Sequence, residues 1–211
     1  MTGDVPGGVP GGVIVGVIVA GGLARRLGGG DKGLRTVGGA PVLGRIIGRL
    51  RPQVAALALN ANGDPARFAG LGLDVVPDAV PDGVPDAPGP LAGILAGLDW
   101  ARGQGAEWLV TAPGDTPFLP PDLAARLLAG RGGAMFACAG SAGRAHPVAA
   151  LWPVSAHDEL RAALLAGHRA IHRFTQGRVA QVEWDAHPVD PFFNVNTTED
   201  LAEAERLAVL E

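Results

Sequence analysis

The chain has 211 residues, 47% hydrophobic and 18% charged, with a formal net charge of −4 and a pI of about 5.7. This length and apolar fraction fit one globular α/β domain and exclude a disordered tail, while the acidic balance excludes nonspecific nucleic-acid binding. One cysteine, Cys138, excludes an intrachain disulfide and fits a reducing, cytoplasmic setting, and no apolar run approaches a bilayer span, so no membrane partner is expected.

Residues 1–12 are rich in Gly and Pro and read as a disordered leader before a single domain over residues 13–211. The run Val13-Ile14-Val15-Gly16-Val17-Ile18-Val19 is continuous and β-branched, which predicts a central strand covered on both faces. A glycine-rich loop follows. Pro41 opens a helical pattern with Val42, Ile46, Ile47 and Leu50 on one face. Strands are predicted at Val54–Leu59 and Leu73–Val76, then a helix from Pro90 carrying Leu91, Ile94, Leu95 and Leu98. A strand at Trp108–Ala112 closes on Pro113-Gly114-Asp115-Thr116-Pro117, and a helix runs from Pro121 through Leu128. Further strands are predicted at Ala134–Cys138, His146–Trp152, Val179–Trp184 and Phe192–Val195, and helices at Ser155–Leu165 and Thr198–Leu210. This alternation implies a mostly parallel, Rossmann-like sheet flanked by helices, with ligands beyond the carboxyl ends of its strands. The glycine loop, Asn60-Ala61-Asn62, Asp78 and Asp115 all follow predicted strands and therefore converge on that edge.

Lys32 is the one lysine among 17 Lys and Arg residues, and it lies at the end of the loop Val19 to Gly33. An ammonium is a compact point charge where a guanidinium is a rigid fork, so a phosphate role suits it. The loop lacks a Ser or Thr after Lys32, so it is not a P-loop, and Gly28-Gly29-Gly30 does not match the dinucleotide fingerprint. Exposed glycine amides with Arg25, Arg26 and Lys32 can instead wrap a triphosphate and neutralise charge on a pyrophosphate leaving group. Arg25 and Arg26 suit solvent equally well. Asp115, at a strand end, suits Mg²⁺, which takes one or two carboxylates plus phosphate oxygens; the competing reading is an Asx-turn. Asn196 offers an amide oxygen to the same ion or an entry to the last helix. Cys138 reads as a small strand residue and His146 as a satisfied, buried histidine. Three Val-Pro-Asp repeats ending at Asp78, Asp82 and Asp86 predict an exposed loop, suited to act as a lid.

Taken in order, several segments resemble the molybdenum cofactor guanylyltransferases. They are Val19-Ala20-Gly21-Gly22, Arg25-Arg26-Leu27-Gly28-Gly29, Asp31-Lys32-Gly33, Asn60-Ala61-Asn62, Gly89-Pro90-Leu91-Ala92-Gly93, Pro113-Gly114-Asp115-Thr116-Pro117, His146-Pro147-Val148 and Asn194-Val195-Asn196-Thr197. The resemblance implies a nucleotide-diphospho-sugar transferase-like fold and transfer of GMP from GTP to a molybdopterin-type cofactor, with release of pyrophosphate. It implies that Val19, Ala20, Gly21 and Gly22 line the nucleotide and that Lys32 and Arg26 meet phosphate. Asn60 and Asp78 would contact GTP, and Asp115, with Asn196, would hold Mg²⁺. Molybdoenzymes or their chaperones would be partners. Two departures stand out. Gly114 replaces a cysteine frequent in the family, and the stretch from Asp78 to Gly89 is long enough for Asp82 or Asp86 to replace Asp78. Alternative readings are a cytidylyl or sugar-phosphate nucleotidyltransferase of this fold, or a noncatalytic nucleotide-binding cofactor carrier.

Overall fold

The computed structural model describes residues 8–9, 12–21, 32–82, 84 and 89–211, with residues 8, 9 and 32 described as backbone alone. In chain order the strands are β1 (Gly8–Val9), β2 (Gly12–Val19), β3 (Thr36–Val37), β4 (Ala40–Pro41), β5 (Leu57–Asn60), β6 (Asp74–Val76), β7 (Trp108–Pro113), β8 (Phe136–Ser141), β9 (Arg144–Pro153) and β10 (Val179–Trp184). The helices are α1 (Val42–Leu50), α2 (Pro90–Gly103), α3 (Leu123–Gly130), α4 (His157–Leu165), α5 (Ile171–Thr175) and α6 (Thr198–Leu207). Eight of the described strands form one sheet in the order β10-β8-β9-β7-β2-β5-β6, with β1 added beside β2. Every pairing along the main path is parallel except those of β9, which is antiparallel to both β7 and β8.

Strand β2 shows why the sheet is central. Ile14 and Ile18 join the core beneath α1 and α3, whereas Val15 and Val17 join the core beneath α2 and α4. Side chains alternate across a strand, so a strand covered on both faces needs apolar residues at every position. Helix α2 reaches the sheet through two glycines one turn apart. A Cβ on Gly97 would lie 3.0 Å from Leu109 Cδ2, and one on Gly93 would lie 2.3 Å from Asn60 Oδ1. Residues four apart share a helix face, so this bare stripe lets the helix backbone approach the strands.

The antiparallel strand follows from its short connection. Ala142 and Gly143 alone join β8 to β9, both with positive φ (48° and 73°). Such a two-residue turn makes a hairpin, because a parallel return needs a crossover of a dozen residues or more. The predicted strand at Phe192–Val195 is corrected by the structure, which forms a turn and irregular backbone there. The Phe192 N–H donates to Asp190 Oδ1 at 2.9 Å, the Phe193 N–H to Asp190 O at 3.1 Å and the Val195 N–H to Asp115 O at 2.8 Å. These donors are used in a turn and a loop contact, so no ladder forms. The last helix ends at Leu207, earlier than predicted, and starts with Thr197 as N-cap in a capping box with Asp200. Helix α5 and the 3₁₀ turn Pro65–Leu71 are additions to the predicted elements.

Strand β1 pairs Gly8 with Val13, at the end of β2 opposite the carboxyl edge. Deleting residues 1–9 is therefore expected to leave nucleotide affinity within about twofold of the full chain by calorimetry, less than one hydrogen bond contributes. Among the described residues, no helix is long and apolar enough to cross a membrane.

Candidate nucleotide site at the carboxyl edge of the sheet

Four backbone segments meet where the parallel strands end. The Ala20 N–H donates to Asn60 O at 2.8 Å and the Gly114 N–H to Val19 O at 2.9 Å, tying the ends of β5 and β7 to the end of β2. The Val195 N–H on Asp115 O adds the segment before α6. A Cβ on Gly114 would lie 2.8 Å from Ala20 Cβ, so the glycine at this departure from the family pattern brings the ends of β2 and β7 into close contact.

Asn60, Asn62 and Asp78 form a cluster beneath Gly21. Asn60 Nδ2 donates to Asp78 Oδ1 (2.9 Å) and to Val76 O (3.2 Å). Asn62 Nδ2 donates to Asp78 Oδ2 (2.7 Å), while Asn62 Oδ1 accepts from the Asp78 N–H (2.9 Å). Both carboxylate oxygens are thus held by neutral amides, which orient Asp78 and leave its negative charge uncancelled by these partners. A Cβ on Gly21 would lie 3.3 Å from Asp78 Oδ1, so the strand-end backbone lies directly over this carboxylate. Asn60 is fully buried, and its Oδ1 has no partner among the described residues. A buried amide oxygen without a donor is costly, and such atoms mark places where a ligand or water completes the pairing. Asp78 is the member of the Val-Pro-Asp series placed in this cluster; Asp82 is exposed elsewhere, and Asp86 lies outside the described residues.

Gly93 makes this arrangement possible. Alanine there would drive its methyl into Oδ1 of Asn60, which is fully buried and tied by Nδ2 to Val76 O and Asp78 Oδ1. Gly93→Ala is expected to displace Asn60 from Asp78 and weaken nucleotide binding at least tenfold by calorimetry, with a melting temperature lower by several degrees. An unchanged affinity would separate the Asn60 cluster from the nucleotide.

Lys32 begins a 3₁₀ turn, Lys32–Leu34. A Cβ on Gly33 would lie 2.4 Å from Leu43 Cγ, so the backbone beside Lys32 packs directly on α1. Gly22, Arg25 and Arg26, and the Lys32 side chain, lie outside the described residues. Asp115 is half-buried at the end of β7, and Asn196 is half-buried just past Val195. The structure therefore brings Val19, Ala20, Gly21, Asn60, Asp78, Asp115 and Asn196 to one edge. Sequence reading missed Asn62 as a distinct partner of Asp78. Its signal was present in Asn60-Ala61-Asn62, where residues two apart point to the same side of an extended chain.

Farther along the edge, His146 is half-buried and stacks on Phe192, with ring centroids 4.7 Å apart. Burial pushes its pKa below the usual histidine value, and Arg144 acts in the same direction against Asp190 and Glu183. Cys138 is buried within β8, and burial followed by Glu183 pushes its thiol up, away from thiolate chemistry.

Comparison with known proteins gives the family and the fold. Residues 16–183 match the MobA-like NTP transferase domain. A protein of Rhodopseudomonas palustris (strain BisB5) named molybdenum cofactor guanylyltransferase is 58% identical over 196 residues, covering 90% of this chain and 91% of the relative. The crystal structure of molybdopterin-guanine dinucleotide biosynthesis protein A from Archaeoglobus fulgidus superposes with a TM-score of 0.68 at 25% identity, covering 94% of this chain and 100% of that one. A Mycobacterium tuberculosis protein, Rv0371c, crystallised in complex with manganese, shares the fold with a TM-score of 0.62 at 20% identity, covering 92% and 98% of the two chains.

Proposed function

We infer that this chain, which belongs to the MobA-like NTP transferase family, transfers GMP from GTP to a molybdopterin-type cofactor and releases pyrophosphate. The observation that carries the reading is the convergence of Gly21, Asn60, Asp78 and Asp115 on one sheet edge, in a chain so similar to proteins named for that reaction.

In the reaction, an oxygen of the acceptor's terminal phosphate forms a bond to the α-phosphorus of GTP. The bond from that phosphorus to the bridging oxygen breaks, and pyrophosphate leaves with the electron pair. The attacking phosphate is already ionised, so the chain need supply no general base. Its work is positioning and charge neutralisation. The strand-end backbone of Val19 to Gly21 lines the nucleotide, together with Gly22, which follows it in sequence, and Asn60 and Asp78 hold the nucleoside end. An uncancelled carboxylate such as Asp78 favours guanine, whose Watson–Crick edge offers adjacent N–H donors, over cytosine or adenine, which each set an acceptor beside the donor. Lys32 and Arg26 meet the phosphates.

The donor set suits a hard divalent cation. Asp115 offers a carboxylate and Asn196 an amide oxygen on segments joined by the Val195–Asp115 hydrogen bond. Among the described residues, no group of three or more His, Cys, Asp or Glu side chains forms a self-sufficient metal cage. Mg²⁺ takes few protein ligands and completes its shell with phosphate oxygens and water. When bound, Mg²⁺ supplies charge neutralisation on the triphosphate. The setting is cytoplasmic, where GTP and the reduced cofactor are available, and molybdoenzymes or their chaperones receive the product.

Titration calorimetry of GTP, CTP and ATP with Mg²⁺ tests the reading, followed by pyrophosphate release on adding molybdopterin. Selective GTP binding and acceptor-dependent release are expected. Tighter CTP binding would move the chain to cytidylyl transfer, and nucleotide binding without release would make it a carrier.

A further inference from the structure

The nucleotide cluster uses the β2–β5–β6 flank of the sheet, leaving a second polar cluster across β7 with no part in it. Ser141, the last residue of β8, is fully buried, yet its hydroxyl bridges two partners. Its Oγ lies 2.8 Å from Asp190 Oδ1 and 2.8 Å from His146 Nε2. A carboxylate only accepts, so the single hydroxyl proton goes to Asp190, and His146 must donate from Nε2 to the Ser141 oxygen. The chain of bonds runs from His146 through Ser141 to Asp190, which also accepts the Phe192 N–H.

This relay holds one end of a particular segment. Asp190 begins it, and Phe192 is buried between the His146 ring and Trp184, 5.5 Å from the latter's centroid. Val195 is buried and donates to Asp115 O. Asn194 is exposed and Asn196 half-buried on either side of Val195; the Asn196 N–H donates to Asp200 Oδ2 (2.9 Å) at the start of α6, and two further pins hold the residues before it. One pin is the candidate metal carboxylate's own backbone, and the other is the relay.

We propose that Ser141, His146 and Asp190 are positioning residues for the acceptor substrate, fixing the Asp190–Asn196 segment on the flank of Asp115 opposite the nucleoside. The inference rests on the guanylyl-transfer reading. With the nucleoside over β2, β5 and β6, the acceptor's phosphate approaches the α-phosphorus from the β8–β9 flank, where Asn194 and Asn196 stand. None of the three residues takes a proton from substrate; each acts through the segment it holds.

The test uses Ser141→Ala, which breaks both bonds while leaving a small buried side chain, and Asp190→Asn, which keeps an amide oxygen to accept from Ser141 and Phe192. Guanylyl transfer is measured with GTP, Mg²⁺ and molybdopterin, and backbone amide exchange of residues 192–196 is followed in the substrate-free protein. Ser141→Ala is expected to raise the KM for molybdopterin about five- to tenfold, the scale of a lost buried hydrogen bond, with the Kd for GTP within twofold. Exchange of the segment should accelerate by a similar factor, and Asp190→Asn should behave nearly as wild type. Equal weakening toward GTP and molybdopterin, or a native KM with native exchange, would overturn the proposal. If wild-type protein binds GTP but transfers nothing to molybdopterin, the guanylyl reading falls and the acceptor role with it, while the exchange rates still report whether the relay holds the segment.

Discussion

Replacing Lys32 by alanine is expected to lower guanylyl transfer at least a hundredfold while the protein melts within about 2 °C of wild type. The magnitude is that of removing one preorganised charge from a site where negative charge develops on a leaving group. The thermal expectation follows from the local structure. Lys32 opens the 3₁₀ turn, but the contact that anchors the turn is the Gly33 backbone against Leu43, which the substitution leaves in place. Lys32→Arg distinguishes charge from shape. A rigid, wider guanidinium that rescues little would show that the site needs a compact cation, as expected where this chain uses its one lysine. Transfer at near-native rate in Lys32→Ala would remove the phosphate role.

Asp115→Asn should be more severe still, costing roughly three orders of magnitude in Mg²⁺-dependent turnover. Asparagine keeps the size of the side chain and can still close an Asx-turn, but it no longer carries the negative charge that holds a divalent cation. The bond that ties this residue to Val195 uses the Asp115 backbone oxygen, so the link to the last segment persists. The two readings of Asp115 therefore separate cleanly. A metal ligand gives an inactive protein of native stability whose GTP affinity no longer responds to Mg²⁺. A capping residue gives an active protein of native stability, because asparagine still closes the turn.

The strands and helices were legible where one physical rule dominated. In β2, the unbroken run from Val13 to Val19 left no polar face, and the structure covers it on both sides. Pro41 and Pro90 were read as helix openers because their missing N–H costs nothing there; α2 begins at Pro90, and α1 begins one residue later than read, at Val42, with Pro41 as its N-cap at the end of β4. Phe192–Val195 misled because aromatic and β-branched residues suit a strand, yet the donors of Phe192 and Val195 had closer acceptors in Asp190 and Asp115. Strand propensity is weak beside a specific tertiary partner. The antiparallel course of β9 had a local cause in the two-residue turn at Ala142–Gly143, although the overall expectation of a mostly parallel sheet holds.

The candidate site divides along the same line. By itself the sequence determined the chemistry on offer: a lone lysine in a glycine loop, Asp115 after a strand, paired asparagines at another strand end, and an alternation that sends all of them to the carboxyl edge. Those properties depend on residue type and local periodicity, which a linear chain carries. Only the tertiary structure decided which aspartate of the Val-Pro-Asp series meets Asn60 and Asn62, that Gly93 makes room for Asn60, and that Ser141, hydrogen-bonded to His146, meets Asp190 49 residues further along the chain. These are pairings between side chains far apart in sequence. They are set by strand order, register and the close approach of a bare helix face, which composition and spacing do not encode one segment at a time.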